Sequence, residues 1–118
     1  MIKFVMPLHR KPGMSTADFR AYYETYHRLL GEKYLAGYVT KYMRRYPEPL
    51  PDRDGNLREP DFDVLLEIWY PDAETQAACG KHLRSPDIAA EIAADEEKLF
   101  DRSRMRGYIM TEHVSAMD

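Results

Sequence analysis

Residues 62–70, FDVLLEIWY, are apolar on both faces of an extended chain, and this double-sided character limits the possible folds more than any other stretch. Alternation sets Phe62, Val64, Leu66, Ile68 and Tyr70 on one side, and Asp63, Leu65, Glu67 and Trp69 on the other. Such a strand belongs inside a sheet that is covered on both surfaces. Two carboxylates then stand beside an indole on a central strand. Burying a carboxylate alone is costly, so Asp63 and Glu67 pair with Arg or Lys, reach solvent, or enter a polar cavity.

The rest of the chain supplies partners for that strand. Residues 2–9, IKFVMPLH, read as a first strand, with Pro7 pointing to an edge or a bulge. Residues 38–46, YVTKYMRRY, read as a second, with Tyr38, Thr40, Tyr42, Arg44 and Tyr46 on one aromatic face. Residues 104–115, RMRGYIMTEHVS, alternate as a last strand, and 116–118 fray. Between the second strand and FDVLLEIWY, residues 47–61 hold four prolines and the turn Asp54-Gly55-Asn56, which makes them a loop. A loop of that length is either a lid or binding segment, or a disordered excursion.

Three helices are expected. Pro12-Gly13 turns the chain, and Ser15 or Thr16 caps a helix with Asp18 in its first turn. At 100° per residue, Phe19, Tyr22, Tyr26, Leu29 and Leu30 form its apolar stripe, with Tyr23 and His27 as i, i+4 neighbours on the flank. Gly31 and Gly37 bracket the connection that follows. Tyr23 and His27 form a proton-transfer pair near neutral pH, or they line the core edge with their polar tips hydrogen-bonded. Pro71-Asp72 caps a helix over about 73–83, and Ser85-Pro86-Asp87 starts another over about 87–101. The apolar positions of that last helix are Ile88, Ile92, Leu99 and Phe100. Its acidic face, Glu91, Asp95, Glu96 and Glu97, reads as solvated, although Asp95 lies near the apolar stripe.

The 118 residues make one domain over 1–118, and 44% apolar with 31% charged residues fits a globular chain. A net charge of −3 gives no basic excess for a nucleic acid. No apolar run of about 18 residues argues for a membrane span, and no N-terminal export signal is visible. Cys79 is the single cysteine, so no internal disulfide forms, a reducing cytoplasm is the simplest location, and the thiol reads as a packing group. The histidines His9, His27, His82 and His113 show no HxH or HExxH spacing, so no metal site is indicated. His9 and His82 read as surface residues. Phosphate-loop, nucleophile-elbow and dinucleotide fingerprints are missing too.

The order strand, helix, strand, strand, helix, helix, strand is an α+β, ferredoxin-like split βαβ pattern with a four-stranded antiparallel sheet. Its helices cover one sheet face. The second apolar face calls for a partner, and a face-to-face homodimer closing a barrel supplies one.

HRKPGMSTADFRAYYETYH, then FDVLLEIW, the LRSPD turn and DEEKLFDRSRMRGYIMTEH together resemble the EthD family of the dimeric α+β barrel superfamily. The likeness covers nearly the whole chain and implies a dimeric barrel with a pocket between sheet and helices in each protomer. It sets His27 on the family's helix-one histidine, Asp63, Glu67 and Trp69 on its strand-three signature, and Asp95, Phe100, Glu112 and His113 on its C-terminal pattern. The loop at 47–61 departs from the pattern by its length. Superfamily activities include cofactor-free dehydration, cyclisation, cyanohydrin cleavage and oxygenation, with haem chemistry in some branches, and EthD itself is named for an ancillary role in an ether-degrading cytochrome P450 system.

Two function classes follow. One is a cofactor-independent lyase of dehydratase type, or an isomerase or cyclase, working by acid–base catalysis on a small aromatic or polyketide-like substrate. His27 or His113 is its base, Tyr23 or Asp63 its second acid, and Tyr46, Trp69, Glu67 and Tyr26 bind substrate. The other is a non-enzymatic accessory or small-molecule-binding protein of a degradative system. Haem held by His27 or His113 is a third reading.

Overall fold

The strand pairing rests on two long antiparallel ladders, in a computed structural model that describes residues 1–118. Strand β1 (Ile2–Leu8) runs against β3 (Val64–Tyr70) from Ile2↔Tyr70 to Leu8↔Val64, and β2 (Lys41–Arg45) pairs with the other edge of β3 from Lys41↔Trp69 to Arg45↔Leu65. A short β4 (Tyr108–Ile109) pairs with β1, giving the antiparallel order β2-β3-β1-β4. This is the expected α+β arrangement of four antiparallel strands backed by helices.

Two strands differ from expectation, and each difference has a steric cause. The last strand was expected over 104–115, yet only Tyr108–Ile109 is strand. Lys3 accepts at its carbonyl from Met110 N–H at 2.9 Å, so residues 3, 5 and 7 aim their backbone groups at β4. Pro7 has no N–H to offer on that side, and β1 ends at Ile2, so the ladder stops at both ends. Pro7 therefore lies on an interior strand, at a point where that strand has lost its neighbour. The second strand shortens to Lys41–Arg45 because Tyr38 N–H turns back onto the Leu35 carbonyl at 3.0 Å.

On the helical side, Ser15 caps α1 (Thr16–Tyr22) by accepting from Asp18 N–H at 3.0 Å, after a turn in which Gly13 takes φ +85°. The chain then passes through a π-helical turn, Tyr23–His27, into α2 (Arg28–Leu35). Gly31 thus lies inside α2 and does not end it. Helix α3 (Ala73–Leu83) begins at Asp72, which accepts from Thr75 N–H at 2.7 Å. Helix α4 (Pro86–Glu96) stops five residues earlier than the apolar pattern implied. Leu99 and Phe100 leave the helix because Asp101 N–H bonds the His9 carbonyl and Lys11 N–H bonds the Leu99 carbonyl, at 2.8 and 2.9 Å.

Those tethers carry Leu99 and Phe100 into the main core with Leu8, Phe19, Tyr23 and Val64. A second cluster joins Leu35, Ile68, Tyr70 and Cys79. Removing a fully buried side chain such as Leu99 costs about 2–5 kcal/mol. No helix is long and apolar enough to cross a membrane. The opposite sheet face carries no element of this chain, and Lys3, Val5, Leu65, Trp69 and Met43 lie on it half-buried.

Candidate functional site

The site is organised by the π turn. In a regular α-helix, residues four apart drift by about 40° per step, so Phe19, Tyr23, His27, Gly31 and Leu35 would spiral off one face. Arg28 N–H instead reaches the Tyr23 carbonyl five residues back, and the wider turn holds Phe19, Tyr23 and His27 in line. The buried face is therefore Phe19, Tyr23, His27 and Leu35, while Tyr26 and Leu29 are exposed, which corrects the stripe expected from a 3.6-residue period.

Tyr23 stands at the centre of an aromatic box. Its ring meets Phe19, Phe100, His27 and Tyr46 edge-on, with centroids 5.1–6.3 Å away. The His27 ring also lies edge-on to Phe100 at 5.2 Å, so two aromatic neighbours fix its plane. Asp95 then fixes its rotation. Asp95 Oδ2 lies 2.7 Å from His27 Nδ1, and Oδ1 accepts the Tyr22 hydroxyl. A carboxylate on Nδ1 holds the proton there and leaves Nε2 as the free basic nitrogen, which has no hydrogen-bond partner in the protein.

His27 lines a largely apolar cavity of about 130 Å³ between the sheet and helices, with Tyr23, Tyr42, Leu66, Ile68 and Glu96 among its walls. Tyr42 reaches it across Gly31, and its hydroxyl lies 3.5 Å from that of Tyr23. Burial raises the pKa of both phenols, so each stays a proton-bearing donor. Burial likewise raises Glu96, against the opposing pull of Arg102 and His27, so its carboxyl keeps a proton to higher pH than an ordinary glutamate. Beside the box, Glu24 accepts from Arg44 at 2.8 and 3.0 Å and from Tyr46 at 2.6 Å. The Arg44 contact is the main reason its pKa falls.

The residues singled out in the sequence separate into five places. His27 and Tyr23 share the cavity, and Tyr46 backs it. Asp63 lies apart in a polar basin, where it accepts from Arg10 N–H at 2.8 Å and pairs with the Arg10 guanidinium. Glu67 and Trp69 are on the opposite sheet face; Glu67 accepts from the indole N–H at 2.5 Å and faces Arg45 at 3.5 Å. Lys3 and Lys41 lie 3.9 and 4.5 Å over the Trp69 ring. His113 is exposed in the C-terminal segment and lines neither cavity nor basin. Tyr26 sits on an outer groove, 60% exposed. His9, taken as a surface residue, lines the basin through a 2.9 Å contact to the Asp61 carbonyl, and His82 stacks on Tyr38.

The sequence model of the EthD domain matches residues 11–103, which include the π turn, His27 and Asp95. The chain belongs to the EthD family. An EthD family protein of Bacillus halodurans C-125 shares the fold at TM-score 0.63 and 19% identity, over 96% of this chain and 100% of that one. An EthD-like protein of Ralstonia eutropha JMP134 gives 0.62 and 18%, covering 92% and 86%. HapK of Hahella chejuensis gives 0.55 and 12%, covering 100% and 98%. No curated protein matches the sequence significantly.

Within this EthD fold, Glu96, Tyr42 and Gly31 are the site residues that the sequence did not single out, and Asp95 was marked only by its likeness to the family's C-terminal pattern and its place beside the apolar stripe. Glu96 belongs by spacing to an acidic face that reads as solvated, and no local signal sets it apart. No cluster of three or more His, Cys, Asp or Glu side chains is placed to hold a metal ion. The cavity beside His27, about 130 Å³, is smaller than the roughly 300–1,000 Å³ of sites that enclose drug-sized ligands.

Proposed function

We propose that this EthD family member is a cofactor-independent lyase of dehydratase type, or a related isomerase or cyclase, acting on a small aromatic or polyketide-like substrate in the His27 cavity. The observation that carries the reading is the His27–Asp95 contact of 2.7 Å, which leaves Nε2 free on a cavity lined with tyrosine hydroxyls. Nε2 takes a proton from the carbon beside a carbonyl. Tyr23 and Tyr42, kept protonated by burial, donate hydrogen bonds to the enolate oxygen. In a dehydration the enolate expels a β-hydroxyl, which collects the proton held by the imidazolium and leaves as water. One C–H and one C–O bond break, a C=C bond forms, and no oxidant is consumed. Asp63 and His113 take no part in this version of the reaction.

The test is turnover of β-hydroxy carbonyl aromatics by wild type and His27→Ala. A loss of about 10²–10⁴ in kcat, without unfolding, supports His27 as the base. Equal rates remove it. The alternative, a non-enzymatic binding protein, uses the same largely apolar cavity, and it predicts ligand binding that His27→Ala leaves intact and no turnover by either protein.

We also propose that the uncovered sheet face mates with a second copy, since Val5, Met43, Leu65 and Trp69 share it. Light scattering should then give twice the chain mass for wild type and a single chain mass for Leu65→Glu.

A further inference from the structure

Outside the inner cavity, the surface between α2 and α4 carries a groove of about 390 Å³ with an apolar floor. Tyr26 and Leu29 are exposed along it, and Leu30 lines both the groove and the cavity behind. The charged groups around this floor divide sharply. Both carboxylates are engaged: Glu91 accepts the Tyr34 hydroxyl and faces Lys33 at 4.0 Å, and Asp95 accepts from Tyr22 and His27. Lys98 is uncommitted. The ion pairs at the end of α4 run from Arg102 to Glu96 and Glu97 and leave the Lys98 ammonium free.

We propose that this groove is a ligand subsite for a small amphiphilic carboxylate such as an arylalkanoic acid. The apolar body lies over Tyr26, Leu29 and Leu30, and the carboxylate pairs with Lys98, with Lys33 as a second cation within the groove. A cationic ligand would find both carboxylates already engaged and Lys98 of like charge, and a neutral one would leave Lys98 unanswered. The volume falls within the roughly 300–1,000 Å³ of small-molecule sites. Asp95 forms part of the groove wall and also holds His27 Nδ1, so an occupant is felt at the imidazole. The subsite stands independently of what His27 does.

The experiment titrates 4-phenylbutyrate, and separately its neutral amide, into the full chain while following methyl signals by NMR. The acid should shift Leu29 and Leu30 and, in wild type, the His27 imidazole. Replacing the acid by the amide, or Lys98 by Gln, should each weaken binding about fivefold, the worth of one partly exposed ion pair. The proposal is overturned if acid and amide bind equally, if Lys98→Gln has wild-type affinity, or if the shifts fall on Leu35, Leu66 and Leu83 of the inner cavity. Lys98→Gln separates the two ideas, because it weakens binding at the groove while leaving the His27–Asp95 contact and the inner cavity in place.

Discussion

Gly31 and Tyr42 are in such close contact that a Cβ added to Gly31 would stand 2.5 Å from the Tyr42 hydroxyl oxygen and 2.7 Å from its ring carbon. The missing side chain is what lets a β2 phenol reach the cavity across α2. Gly31→Ala gains up to about 1 kcal/mol of helix propensity and loses about 1–3 kcal/mol to overpacking. Chemical denaturation should show net destabilisation of roughly 1 kcal/mol, and a double-mutant cycle with Tyr42→Leu should recover coupling of about 0.5–3 kcal/mol.

Asp95 sets which imidazole nitrogen carries the proton. In ¹⁵N NMR of the wild type, His27 should show a protonated Nδ1 and a bare Nε2. Asp95→Asn, which replaces a strong acceptor with an amide of either polarity, should mix the two tautomers and cost about 1–3 kcal/mol of stability. An unchanged tautomer in that variant would show that the aromatic box alone orients the ring.

Burial raises the Glu96 pKa above the ordinary glutamate value, so its ionisation opposes folding. A raised folded-state pKa gives stability that is complete below the ordinary carboxylate range and is lost as pH rises through the folded value. Glu96→Gln should therefore raise the denaturation midpoint at pH 7 and have little effect at pH 4. A lower midpoint at pH 7 would mean that the 3.7 Å contact with Arg102 outweighs desolvation.

Alkaline unfolding should report the phenols. Burial, followed by the hydrogen bond to Asp95, pushes Tyr22 up to about 12. The fold therefore keeps the proton that the unfolded chain gives up near pH 10, and the associated stability is present below 10 and lost between about 10 and 12. Denaturant midpoints followed from pH 9 to 12 should fall across that interval, and less steeply in Tyr22→Phe.

Cys79 is fully buried, and burial raises its thiol pKa. Its reaction with a thiol reagent should be slow in native buffer and should accelerate with denaturant in step with unfolding. Fast labelling without denaturant would reveal local opening of α3.

Much of the fold is legible in the sequence because it depends on local chemistry. FDVLLEIWY declares an interior strand, Asp72 and Ser15 mark helix starts, and Pro-Gly marks the turn before α1. The site is less legible, because it depends on departures from regular geometry. Counting at 3.6 residues per turn put Tyr26 and Leu29 inside, and nothing local to YYETYH announces a five-residue hydrogen bond. Asp95 stands out in the sequence only by its place beside the apolar stripe and its likeness to the family pattern, and its role follows from the fold that sets it between Tyr22 and His27. Leu99 and Phe100 fit a helical pattern and are drawn out of it by backbone bonds to His9 and Lys11, residues about ninety positions away.

The π turn amounts to one surplus residue in an otherwise ordinary helix. Thr25 is exposed within it, and removing that residue would let α1 and α2 join as continuous α-helix with better hydrogen-bond geometry. After the deletion His27 would stand seven residues from Phe19, about 700° round the helix, and would still face Phe100 and Asp95. Straightening the full-length chain without a deletion would instead put His27 about 800° round, some 80° off that face and away from the box. The irregular turn therefore absorbs one residue of chain length without turning the histidine away from the rest of the core.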